Sequence, residues 1–344
     1  MQYDVIIVGQ GLAGSALSWA LLQRGARVLV ADRGAGGTAS SVAAGLVTPA
    51  TGRALGQPAH FQRDRAAAAK HYREVEDSEG QAFWFERPAL RLFPTEEDAR
   101  RLATRRADLE HDLADASPAP AAGFRRFADA ALMRSAARLD VPKYVDAVRD
   151  QLSARESLRK CEICPSDIEP ESTGVHIKNL GARARYVVLC GGSDDRGNPW
   201  LADSKLNPAK GEIITVTIDD FHEQRTTHSR GYWLLPADEP GVYRFGATYD
   251  HGDHDPAPTR DARTTLETAL TKLVDRSFRV VDQQAGLRPV GPGRQVLVGA
   301  HPVHGSVVLF NGLGSRGVLW APWQAERLAE QLMSGPPVRA LEPA

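Results

Sequence analysis

The 344-residue sequence predicts an α/β protein with a parallel sheet, joined to an α+β region built on an antiparallel sheet. Three observations predict it. The first 32 residues read strand, glycine turn, helix, strand. A second strand–glycine turn–helix closes the chain between Val307 and Leu332. Between them, residues 206–284 are β-like.

The opening elements each have a mechanical reason. Val5-Ile6-Ile7-Val8 is a β-branched run suited to a strand covered on both faces. It enters Gly9-Gln10-Gly11-Leu12-Ala13-Gly14, and Ala16, Leu17, Ala20, Leu21 and Leu22 then recur at helical spacing before Gly25 stops the helix. Gly9 permits the turn, Gly11 lets backbone approach a pyrophosphate, and Gly14 lets the helix lie close to the sheet. The helix N-terminus at Gly11, Leu12 and Ala13 presents unpaired N–H groups and a positive dipole end to phosphates. Arg27 to Ala31 is a second strand that ends on Asp32, 18 positions after Gly14. The Asp32 carboxylate is placed to accept from ribose hydroxyls and disfavours a 2′-phosphate. Arg33 follows it and is counted with the same cofactor-binding set. Together these elements describe a Rossmann-like dinucleotide-binding domain.

Composition excludes other classes. The apolar fraction of 42% and the charged fraction of 25% are those of a globular protein. A net charge of -1 gives no global field for nucleic acid or an anionic membrane, so no nucleic-acid or membrane partner is expected. Arg100, Arg101, Arg105 and Arg106 are interleaved with acids and read as a solvated helix face. Three cysteines, Cys161, Cys164 and Cys190, argue for a reducing compartment, and a cytoplasmic location is expected. Cys161-x-x-Cys164 lacks a second pair, so the two are read as ordinary thiols beside a strand and no metal is expected. Neither a cleavable leader nor a spanning helix is expected.

The segment from Gly36 to Val47 is rich in small and hydroxylated residues, and Ser40, Ser41, Ala44 and Gly45 are expected to run beside the cofactor. At this point the sequence resembles the D-amino-acid-oxidase-like superfamily of FAD enzymes, which includes glycine oxidase, sarcosine oxidase and the oxidase domain of a tRNA wobble-uridine modification enzyme. Three stretches carry the resemblance. They are Asp4 through Asp32 to the Ser40–Gly45 loop; Tyr186 to Leu189 with Cys190-Gly191-Gly192; and Gly286-Leu287-Arg288-Pro289 followed by Gly312-Leu313-Gly314-Ser315-Arg316-Gly317. The resemblance implies FAD as cofactor, with the last turn facing the flavin ring, where a helix dipole favours the anionic reduced form. No cysteine lies near Gly312–Gly317 and the first histidine is His60, so the FAD is expected to be noncovalent.

The resemblance also implies a discontinuous FAD domain. Residues 1–60, 141–205 and 285–344 are assigned to it, and 61–140 and 206–284 to a substrate domain. Residues 61–140 read as mostly helical, while Gly231 to Leu235 and Val242 to Thr248 read as an antiparallel pair.

Flavin oxidation of an amine asks side chains mainly to align substrate and exclude water. A carboxylated amine suits a bidentate arginine, and the resemblance gives that role to Arg288. The stretch Tyr232-Trp233-Leu234-Leu235-Pro236 resembles one that supplies a pocket tyrosine, but Trp233 stands at the best-matching position with Tyr232 beside it, and Tyr249 is a further aromatic candidate. His251, Asp253, His254 and Asp255 read as a solvated turn before Pro256-Ala257-Pro258 rather than as metal ligands. The expected activity is oxidation of a C–N bond in a small amine or amino acid to an imine. An oxidase acting on a modified tRNA nucleoside, and an inactive flavin-binding partner or sensor, are the alternatives.

Overall fold

The computed structural model describes residues 2–34, 38–52, 54–334 and 338–341. The strand β1 (Tyr3–Val8), the helix α1 (Leu12–Leu22) and the strand β2 (Val28–Asp32) form in the expected order. β1 runs parallel to β2 on one side and to the strand Ala182–Leu189 on the other, inside an eight-stranded sheet. Ala182–Leu189 is in turn parallel to Val307–Asn311, in the register Val187↔Val307. Val5, Ile6 and Ile7 have no exposed surface, which is why the run is apolar on both faces.

One face of this sheet is covered by α1 and the helices Phe61–Glu79, Val141–Ala154 and Gly317–Ser334. Pro322 stands inside the last of these and has no N–H for the carbonyl of Val318. The buried Tyr72 hydroxyl donates to that carbonyl at 2.9 Å, so the missing helix bond is replaced from a neighbouring helix.

A second eight-stranded sheet is almost wholly antiparallel. Its order is Phe278–Arg288, Ala209–Ile218, Val242–Gly246, Tyr232–Pro236, Thr227–Ser229, Ala89–Phe93, Asp129–Met133 and Leu113–Asp115. The pair Tyr232–Pro236 and Val242–Gly246 forms as expected. One face packs on Leu266 and Leu270 of the helix Arg260–Thr271 through Ile214, Leu234 and Phe245. The other face is turned to the site.

Two expectations are corrected. Residues 61–140 are not mostly helical: beyond Phe61–Glu79 and Glu96–Arg105 they supply three strands of the second sheet. Helix-favouring alanines were misleading there, because Ala131 sits in a strand opposite Arg91, where pairing overrides propensity. The expected boundary at 284/285 also moves, because Phe278–Arg288 is one continuous strand of the second sheet, paired with Ala209–Ile218 to its end.

Candidate active site

A cavity of about 950 Å³ runs from the C-terminal ends of β1 and β2 to the open face of the second sheet. At the first end, Gly9 has a φ of 98°, and a β-carbon on it would lie 2.6 Å from the Cys190 carbonyl. A β-carbon on Gly14 would lie 1.9 Å from the Gly9 carbonyl, so the helix can approach the turn only with glycine there. α1 begins at Gly11 with no side-chain cap and no acid in its first turn. Leu12 N–H bonds the Ser40 hydroxyl at 3.1 Å, which docks the short helix α2 (Ala39–Val42) over the turn. Apart from the Leu12 N–H taken by Ser40, the first turn of α1 thus offers an anion its positive dipole end.

Asp32 accepts from the N–H groups of Gln10 at 2.7 Å and Gly34 at 2.8 Å, which fixes its carboxylate at the cavity wall with lone pairs to spare. Arg33 pairs with Asp194 at 2.5 Å across the same wall. Cys161 and Cys164, both free thiols, line this end as well, and Cys161 N–H bonds the Asp32 carbonyl. The glycine cradle, the helix N-terminus and the fixed carboxylate fit the ADP half of a dinucleotide.

Two returning turns close the middle of the cavity. Buried Asp195 accepts from Gly191 N–H at 2.9 Å and from Asn311 Nδ2 at 2.8 Å, tying the Gly191–Gly192 turn to the strand end before Gly312. Burial pushes the Asp195 carboxyl up, against the hydrogen bonds it accepts. Leu313, Gly314, Ser315 and Gly317 line the cavity, and a β-carbon on Gly317 would press within 2.9 Å of Leu12, so the two helix N-termini converge.

At the far end, Arg288 lies across the sheet. Its Nη1 donates to the Thr248 carbonyl at 3.2 Å, and its guanidinium sits 5.5 Å from the centre of the Tyr249 ring. Burial lowers its pKa from the usual arginine value, and among the described residues no carboxylate pairs with it. Trp233 lies over Gly246, where a β-carbon would meet the indole at 3.1 Å. The segment after Thr248 arches over this end. It is held by Lys210, which donates to Asp253 at 2.7 Å and to the Ala257 carbonyl at 2.6 Å, and by Glu212, which accepts from Thr259 and Gln283 at 2.8 Å. His254 lines the cavity and its Nε2 is buried without a partner.

Most of the expected residues meet here, including Gly9, Gly11, Leu12, Ala13, Asp32, Arg33, Ser40, Ala44, Gly45, Gly191, Gly192, Trp233, Tyr249 and Arg288. Five depart from expectation. Gly14 and Gly312 act through backbone packing behind the wall. Ser41 turns its hydroxyl back to the Thr38 carbonyl. Arg316 points to the Thr51 hydroxyl at 2.9 Å and lies over Trp320. Tyr232 borders the cavity, but its ring stacks on Phe245, because strand alternation puts it on the face opposite Trp233. Gly36 and Gly37 lie outside the described residues. Sequence reasoning missed Gly211, Arg91 and His228. An arginine inside the apolar run Ala89–Phe93 was the one available signal.

Comparison with known proteins agrees with this geometry. Residues 4–331 match the DAO family, described as FAD dependent oxidoreductase. Glycine oxidase of Pseudomonas putida is 26% identical over 100% of this chain and 98% of its own length. The tRNA 5-methylaminomethyl-2-thiouridine biosynthesis bifunctional protein of Azoarcus sp. is 25% identical over 98% of this chain, which spans 59% of that protein. Among solved structures, glycine oxidase from Bacillus cereus superposes with a TM-score of 0.81 at 19% identity, covering 99% of both chains. Iminodiacetate oxidase from Chelativorans gives 0.79 at 19% identity, covering 97% of this chain and 96% of its own.

Proposed function

The chain belongs to the DAO family of FAD-dependent oxidoreductases, and on that premise we propose that it oxidises the C–N bond of a small carboxylated amine to an imine. FAD, when bound, would supply the two-electron acceptor for a hydride from the substrate carbon, with a proton lost from its nitrogen. Gly9, Gly11 and the first turn of α1 would hold its diphosphate, and Asp32 its ribose. Arg288 grips the carboxylate through its outward N–H groups, while the Thr248 carbonyl fixes the guanidinium from the other side. Trp233 forms the apolar floor beside it, and the arch from Tyr249 to Pro256 limits water.

The observation that carries this reading is the half-buried Arg288 guanidinium, which lines the cavity with a carbonyl and no carboxylate among the described residues for partner. A cation partly withdrawn from water without an anion is costly, and a bound carboxylate relieves that cost. The names of glycine oxidase and iminodiacetate oxidase support the same substrate class. The test is an anaerobic panel of amines and amino acids, scored by bleaching of the bound flavin. Carboxylated secondary and primary amines should bleach it. Bleaching by amines without a carboxylate alone would overturn the reading.

A second reading, oxidation of a modified nucleoside in tRNA, is favoured by Tyr249. The residue is 44% exposed, and its ring centre lies 5.5 Å from the Arg288 guanidinium and 6.0 Å from that of Arg294, a setting on which a base could stack. We expect no salt-dependent tRNA binding in the micromolar range. A gel shift present at low salt and lost at high salt would reverse the ranking of the two readings.

A further inference from the structure

The cavity continues past Trp233 to two residues that the proposed oxidation does not use. One register row of the second sheet carries Ile213, Gly246, Trp233, His228 and Arg91 in succession, all on one face. Ile213, Trp233, His228 and Arg91 line the cavity. Arg288 projects onto the same face, on the opposite flank of Trp233.

Arg91 is 6% exposed. It donates to two carbonyls, Ala50 at 3.0 Å and Gly52 at 2.5 Å, and among the described residues no carboxylate pairs with it. A guanidinium has five N–H groups, so part of its donor set is left over. His228 stands between Arg91 and Trp233, and its Nε2 is buried without a hydrogen-bond partner. Burial first, and the Arg91 charge second, lower the imidazole to about 3, so it is neutral at ordinary pH. The Asp98 carboxylate acts on the Arg91 charge from beyond ion-pair distance, and the guanidinium lies 5.8 Å from the centre of the Phe93 ring. A buried cation with no carboxylate in direct contact, next to an unsatisfied neutral donor–acceptor, is a good anion site.

We propose that Arg91 and His228 form a second anion subsite, so that the substrate is a carboxylated amine bearing a long arm that ends in another carboxylate or comparable anion. The proposal rests on Arg288 taking the first carboxylate. Neighbouring strands lie about 4.8 Å apart, and Arg91 is three strands from the one whose continuation at Thr248 anchors Arg288. The two anions are therefore well separated, and the intervening arm runs over the apolar surface of Trp233 and Ile213. A dianionic amine neutralises both guanidinium groups at once. The arm can leave from the reacting nitrogen or from its neighbouring carbon.

The test uses the FAD-loaded protein and ligands that cannot be oxidised, so it does not depend on turnover. Binding of glutarate, pimelate and azelate is compared with that of monocarboxylates of equal length, by perturbation of the flavin spectrum. At one length the diacid should bind at least roughly tenfold more tightly, the ratio expected of one charge-assisted contact. Arg91→Met should abolish that preference and leave monoacid affinity unchanged, and Arg91→Lys should restore part of it. If the Arg91 variants do not fold, His228→Phe should still reduce the preference severalfold. Equal binding of diacid and monoacid at every length would overturn the proposal, as would a preference that survives His228→Phe and Arg91→Met. Because no amine is oxidised, failure of the amine-oxidation reading and failure of this subsite are separate results. Paired amines with the acidic arm on nitrogen or on carbon then distinguish the two attachment points.

Discussion

Gly211 lies directly beneath the guanidinium of Arg288: a β-carbon on it would stand 2.0 Å from both terminal nitrogens. The two residues are near neighbours across the strand pair in which Gly211 opposes Gly286 and Ala209 opposes Arg288. The absent side chain is what allows the arginine to lie flat over the sheet.

Gly211→Ala should therefore act on substrate and not on cofactor. The φ of Gly211 is outside the left-handed region, so alanine is otherwise acceptable there. The displaced guanidinium should weaken the grip on a carboxylated amine by roughly 10- to 100-fold in reduction efficiency. FAD content should be unchanged. Wild-type reduction kinetics in this variant would show that the flat pose is immaterial.

Asp32→Ala should weaken FAD binding by about 1.5–3 kcal/mol, the range for hydrogen bonds to a charged acceptor. The loss includes looser turns at Gln10 and Gly34, whose N–H groups Asp32 now accepts. Fluorescence of released FAD during dilution measures it. Acid precipitation should release the flavin into the supernatant in both forms, since the bond is expected to be noncovalent.

His71 predicts a pH dependence of stability. It is buried against Tyr72, and its Nε2 lies 2.8 Å from the Tyr144 hydroxyl. Burial lowers its pKa from 6.5 to about 4. The unfolded chain takes up the proton first, so the neutral ring's contribution is complete above pH 6.5 and is lost as pH falls toward 4. Between pH 7 and 5 the loss from this group is about 2 kcal/mol. Denaturant melts at the two values should show a smaller acid loss in His71→Gln than in wild type, although that variant is the less stable at pH 7. Equal acid losses would contradict the assignment.

How much of this was legible in sequence depends on how local each feature is. Gly9, Gly14 and Asp32 sit within one strand–turn–helix–strand unit, and contiguous residues suffice to read it. Arg288 was reached by resemblance, not by spacing. Gly211, His228 and Arg91 come together only through strand pairings between distant segments, and no local pattern encodes such pairings. Tyr232 and Trp233 show the limit at single-residue scale. Adjacent aromatics are equivalent in composition, and only the strand's alternation decides which ring is turned to the open face of the sheet. Residues 61–140 misled for the same reason, because alanine-rich strands such as Asp129–Met133 are held by their neighbours rather than by propensity.

The central claim is that Arg288 holds a substrate carboxylate beside the flavin. Its most direct test is anaerobic flavin reduction by a carboxylated amine and by its decarboxylated analogue, in wild type, Arg288→Lys and Arg288→Ala. The wild type should prefer the carboxylated amine. Arg288→Lys keeps the charge but not the fork and should weaken that preference. Arg288→Ala should keep FAD and fold yet lose the preference, with about 2–4 kcal/mol less transition-state stabilisation, or roughly 30- to 1000-fold in efficiency. An Arg288→Ala protein that still prefers the carboxylated amine, or that sheds FAD and aggregates, would contradict the account.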